Sequence, residues 1–166
     1  MEKKLRNILF IAILLLLTGC ASDMDKITKK IVKVETSHGG YTTVNKKSGA
    51  YGRYQIMPKT AKHYTKKLGI PYKEWKRPKN QDKIYRAILA DNIKELKKNN
   101  FDINAFNVYG CHQQGAYGFQ CIMRNKNMTN KSYQRLRRNI PKKYRYVSND
   151  KLRNIWINYW QNKMSE

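Results

Sequence analysis

Acidic residues are scarce in this chain, with 11 Asp and Glu against 35 Lys and Arg among 166 residues and a net charge of +24. Between Glu35 and Glu74 no other Asp or Glu occurs. A neighbouring acid–base pair of carboxylates therefore cannot be assembled around Glu35 from that stretch. Histidine is equally sparse. His38, His63 and His112 stand apart, and no Cys/His group has the ligand spacing of a zinc site, so neither metal nor cofactor is expected. Internal repeats and low-complexity tracts are also missing, which leaves an ordinary folded domain as the starting point.

The first residues carry an export pattern. Lys3, Lys4 and Arg6 precede an almost wholly apolar run from Ile8 to Leu17. That run is too short for a comfortable membrane span. It ends in Leu17-Thr18-Gly19-Cys20, which looks like the site at which bacterial lipoprotein precursors are cleaved before an acylated cysteine. The expected organisation is a signal peptide over 1–19, a lipid-anchored tether over 20–26 and one domain over 27–166. Ala21-Ser22 after Cys20 lacks an aspartate retention signal, which favours the outer membrane. With Cys20 acylated, Cys111 and Cys121 remain as an even pair in an oxidising compartment. A bridge between them would enclose His112 to Gln120; two buried free thiols are the alternative.

Apolar periodicity predicts a mainly helical chain. Ile27, Ile31 and Val34 share one helical face, with Glu35 beside that stripe and Gly39-Gly40 as the stop. Residues 41–54 are rich in Gly, Ser, Asn and Thr and read as loop or short ribbon. Pro58 opens a second helix to about Leu68. Asp82 opens a longer one ending at Asn99-Asn100, and Asp102 is a plausible cap for a helix through Tyr109. A weaker segment spans 129–138. Leu152, Ile155, Trp156, Tyr159 and Trp160 mark a final amphipathic helix.

Three blocks carry chemistry. Glu35-Thr36 closes the first helix. Ser48-Gly49-Ala50-Tyr51-Gly52-Arg53-Tyr54-Gln55-Ile56-Met57-Pro58-Lys59-Thr60-Ala61 follows, and Cys111-His112-Gln113-Gln114-Gly115-Ala116-Tyr117-Gly118 comes later. Over roughly residues 25 to 125 this pattern resembles the lytic transglycosylase family, which shares the goose-type lysozyme fold. The resemblance implies a lysozyme-like α+β domain, mainly α, with a small β-ribbon or loop beside the cleft. It implies peptidoglycan as the substrate and Glu35 as the catalytic group. Contacts to sugar are expected from Thr36, Ser48, Gly49, Ala50, Tyr51 and Gln55. His112 stands where many members place a tyrosine, with Gln113 and Gln114 as cleft walls. Tyr144 or Tyr146 is the candidate to take over a family tyrosine role.

One carboxyl group is enough for the chemistry this implies. Apolar surroundings raise a Glu pKa and keep it protonated near neutrality. The substrate's acetamido group and 6-hydroxyl supply the rest, leaving a 1,6-anhydro product where ordinary glycosidases use two carboxyls. A hydrolytic lysozyme on the same fold would need a base from Asp82, Asp91 or Glu95. A cell-wall-binding lipoprotein without turnover is a further alternative. The positive charge suits peptidoglycan carboxylates and anionic lipid head groups; the export signal argues against nucleic acid. A secretion, conjugation or phage assembly is a possible partner.

Overall fold

The computed structural model describes residues 23–36 and 38–165. The expected signal peptide over 1–19, the expected acylation site Cys20 and the start of the expected tether lie outside the described residues. Helix α1 spans 23–35 and buries Ile27, Ile31 and Val32, with Val34 packed at the edge. The apolar spacing thus puts Glu35 on the last turn, at the rim of the core.

Helix α2 (Pro58–Leu68) starts with proline at its first position and ends at Gly69, in left-handed geometry with φ 65°. Helix α3 (Pro78–Lys98) also begins on proline, four residues before the expected start at Asp82. Proline at this position gives up an N–H that has no helical partner anyway. Asp82 is consequently inside the helix, and its carboxylate accepts from the hydroxyls of Tyr54 (2.8 Å) and Tyr41 (2.9 Å).

Helix α4 (Ala105–Gln114) is capped by Asn104, whose side-chain oxygen accepts from Asn107 N at 2.9 Å, and not by Asp102. The helix also runs on through Gly110 instead of ending there. Gly110 serves close packing: a Cβ there would strike the ring of Phe119, which is fully buried. Gly115 (φ 77°) turns the chain into α5 (Ala116–Met123). Helix α6 (Asn130–Arg138) is capped by Thr129.

Helix α7 (Asn149–Ser165) buries Leu152, Trp156, Trp160 and Met164, one residue per turn along a single stripe. Its stripe meets α4, where Phe106 lies 5.9 Å from Trp156 between ring centroids and Tyr109 lies 4.7 Å from Trp160. The fold is mainly helical, as the lysozyme-like expectation requires. The ribbon beside the site is reduced to two isolated antiparallel bridges, Val44 with Tyr51 and Tyr51 with Ile56. Among the described residues no helix is long and apolar enough to cross a membrane.

Gly110 supplies a test of the α4–α5 packing. Gly110→Ala gains about 1 kcal/mol of helix propensity, while overpacking against an immobile ring costs about 1–3 kcal/mol. Thermal unfolding should therefore show a lowered Tm. A raised Tm would mean that α5 does not sit this close to α4.

Candidate active site

Glu35 is mostly buried, with its side chain 19% exposed. It meets the face of α4 that carries Tyr109 and His112, three residues apart and so on one side of the helix. Burial lifts the Glu35 carboxyl from 4.5 to about 7, and hydrogen bonding from Tyr109 pulls in the opposite direction. Burial wins.

The Tyr109 hydroxyl is held from behind. Trp156 Nε1–H donates to Gln113 Oε1 at 2.8 Å, and Gln114 Nε2 donates to the same oxygen at 2.9 Å. The Gln113 amide nitrogen then donates to the Tyr109 hydroxyl oxygen at 2.9 Å. Tyr109 is left with its own O–H to give, and Glu35 receives it. Indole, amide and phenol form one directed relay from the α7 core to the carboxyl.

His112 Nε2 lies 3.1 Å from the Tyr54 carbonyl and 3.6 Å from Glu35 Oε1. A carbonyl only accepts, so Nε2 carries the proton of the neutral ring. Burial pushes the His112 pKa down to about 4. At neutral pH the approach to Glu35 is therefore not an ion pair. A positive ring here would hold Glu35 as a permanent anion; a neutral one leaves it free to carry a proton.

The loop over residues 41–57 holds the other side of the site. Thr36 Oγ1 donates to the carbonyls of Val32 (3.3 Å) and Arg53 (3.2 Å), pinning the end of α1 to the loop. Gln81 of α3 is fully buried and ties three points together. Its amide nitrogen donates to Tyr41 O (2.9 Å) and Lys76 O (2.6 Å), and its oxygen accepts from Arg53 N (3.2 Å). Gly52, at φ 78°, has no room for a Cβ against that amide. Gly49 and Tyr51 face a separate cavity of about 390 Å³ whose lining does not include Glu35.

Residues 21–136, more than half of the chain, match the transglycosylase SLT domain family. The chain belongs to this family. Comparison with curated proteins and with solved structures gives no match. Lytic transglycosylases act on peptidoglycan, and the matched span holds Glu35, the glycine-rich loop and the His112 block.

Within this SLT domain several expected residues have other duties. Thr36 is buried and its hydroxyl is bonded to backbone carbonyls, which holds the residue next to Glu35 in place. The Gln55 amide nitrogen donates to Gly52 O (2.9 Å) and Thr43 O (3.3 Å), securing its own left-handed backbone at φ 47°. Ser48 Oγ accepts from Ala50 N at 3.3 Å, and Ala50 is buried beneath the turn. Gln113 and Gln114 carry the amide hydrogen bonds of the relay described above. Tyr146 is 95% exposed and cannot stand at Glu35. The tyrosine that hydrogen-bonds Glu35 is Tyr109, one helical turn before His112, a spacing from which it could have been read.

The expected bridge is absent. Cys111 and Cys121 are buried free thiols. Cys111 faces Glu95 of α3, burial pushing its thiol up to about 12, whereas Cys121 faces Tyr117 on its own helix. Even parity alone does not make a pair. Asp82 and Asp91 are also engaged, Asp82 by the two tyrosines and Asp91 by Tyr64 (2.9 Å) and Lys67 (2.7 Å).

The raised Glu35 pKa has a consequence for stability. Because the folded value of about 7 exceeds the ordinary 4.5, the native state binds the extra proton between these two pH values. The protonated group's contribution is complete below 4.5 and is lost as pH rises through about 7. Glu35→Gln should therefore be more stable than the parent near pH 8, by up to about 3 kcal/mol. Denaturant titrations at a series of pH values should show the gap closing towards about pH 4. A gap independent of pH would contradict the raised value.

Proposed function

We propose that this protein is a peptidoglycan lytic transglycosylase that cleaves the β-1,4 bond between N-acetylmuramic acid and N-acetylglucosamine, leaving a 1,6-anhydro product. The observation that carries the reading is a single buried carboxyl, protonated near neutral pH, with a neutral imidazole and a phenol as its polar neighbours.

Glu35 gives its proton to the glycosidic oxygen as the bond from that oxygen to the anomeric carbon breaks. The acetamido oxygen of the same sugar supports the electron-poor carbon. Glu35, now a carboxylate, receives a hydrogen bond from Tyr109 O–H. It then takes the proton of the sugar's 6-hydroxyl as that oxygen closes on the anomeric carbon. The carboxyl ends as it began, and no water is consumed. Burial makes the first step possible, and the Tyr109 donor keeps the charged intermediate state from becoming too costly.

The leader over 1–19 and Cys20 support a lipid-anchored protein of the cell envelope, with the outer membrane favoured. Wall opening for a secretion, conjugation or phage assembly is the role that the His112-Gln113-Gln114-Gly115 block favours. In Cys20→Ala, the protein should leave the membrane fraction. Unmodified Cys20 in that fraction from native cells would contradict the anchor.

Glu35→Gln keeps side-chain size but has no transferable proton, so turnover of purified sacculi should fall by about 10²–10⁴-fold. Parent products should weigh one water less than reducing-end muropeptides. Turnover should decline as pH rises above about 7, where Glu35 loses its proton. Reducing-end products would establish hydrolysis instead, and an active, folded Glu35→Gln would remove Glu35 from the mechanism.

A further inference from the structure

The cavity of about 390 Å³ shares the glycine-rich loop with the catalytic site yet is lined by none of the side chains around Glu35. Its walls combine aromatic faces with cations. Trp75 is the buried floor, Tyr51 meets it edge-on at 5.4 Å between centroids, and Tyr72, half-exposed, stacks on it at 6.4 Å. Lys73 and Lys76 stand at the rim. Lys76 Nζ is held 4.8 Å above the Tyr51 ring centroid, a cation–π contact that keeps the charge over the opening. Neither lysine has a carboxylate within salt-bridge distance among the described residues. The adjacent Glu74 is instead 3.6 Å from Arg77.

Gly49 lines the same cavity with a bare Cα, at φ 74°, and a Cβ there would meet nothing closer than Pro58 at 3.9 Å. The volume falls within the range of small-ligand sites, about 300–1,000 Å³. An aromatic wall suits the apolar face of a sugar ring, but a neutral sugar would leave both ammonium groups unused. A ligand with a ring face and an anionic arm uses both.

We infer that this cavity is a subsite for a carboxylate-bearing sugar of the wall glycan, with Lys76 and Lys73 receiving the acid and Tyr51, Tyr72 and Trp75 the ring. This rests on the wall-glycan reading above and deepens it, by giving the enzyme a means of gripping acidic muramyl units away from the bond it breaks. The acid comes either from the lactyl group of the sugar or from its peptide stem.

Binding can be measured by calorimetry on the full chain carrying Glu35→Gln, which prevents turnover. The ligands are soluble peptide-bearing strands, strands stripped of peptide by an amidase, and neutral N-acetylglucosamine hexamers. A second background adds Lys73→Gln and Lys76→Gln. A third adds Lys62→Gln and Lys66→Gln on α2 instead, which removes the same charge elsewhere. The Lys73/Lys76 pair should lose at least about tenfold in affinity for acidic strands, one charge-assisted contact or more. Hexamer binding should stay unchanged, and the Lys62/Lys66 pair should lose much less.

Equal losses in the two double variants would reduce the effect to the general positive field and overturn the subsite, as would no loss in either. If only peptide-bearing strands show the tenfold loss, the stem is the acid; if only stripped strands show it, the acid is the lactyl carboxylate that the amidase frees; if both show it, the site takes either acid. Failure of the Glu35→Gln protein to bind any strand, with a parent that cleaves none, would overturn the wall-glycan reading and the subsite together. Cleavage that depends on Glu35 with Lys73/Lys76-independent binding would overturn the subsite alone.

Discussion

The burial of one carboxyl group at the end of α1 is the constraint on which the site depends. A carboxylate in that position is unfavourable, and the surroundings are arranged so that it does not have to persist. His112 is itself too buried to charge, so it does not fix Glu35 in its ionised form. Tyr109 offers a hydrogen bond but no charge. The balance leaves the group near the pH at which a proton can move in both directions.

Holding that balance requires rigid neighbours. Tyr109 can act as a donor towards Glu35 because Gln113 occupies its oxygen, and Gln113 is oriented by the indole of Trp156. Trp156 is fully buried in the α4–α7 core, so the packing of the last helix reaches the first. On the opposite side, Gln81 gathers the backbone of Tyr41, Arg53 and Lys76. This brings the loop onto α1 at Thr36 and onto α4 at His112. Four polar side chains that look available for sugar therefore do structural work: Thr36, Gln55, Gln113 and Gln114.

Much of the scaffold was legible in the sequence. The Leu152–Trp156–Trp160 spacing is strong enough to place α7, and the Ile27–Ile31 spacing puts Glu35 on the last turn of α1. Motif resemblance identified Glu35 where periodicity alone would have left a solvated acid on a lysine-rich helix. What sequence could not supply was the direction of polar groups. Gln113 reads as a cleft residue until a tryptophan 43 positions away takes its oxygen. Gln55 reads as a sugar contact until its own strained backbone uses its amide nitrogen. Cysteine parity is blind to geometry, and Cys111 and Cys121 are buried free thiols. The start of α3 at Pro78 and the cap of α4 at Asn104 were displaced from Asp82 and Asp102, because proline geometry and an asparagine side chain met the same need locally.

The most direct measurement is the titration of the Glu35 side-chain carboxyl carbon by NMR in the folded protein, with Glu35→Gln used for assignment. A midpoint near 7 would establish the buried acid on which the single-carboxyl mechanism stands. A midpoint near 4.5 would mean a solvated carboxylate at neutral pH, with no proton to give to a glycosidic oxygen.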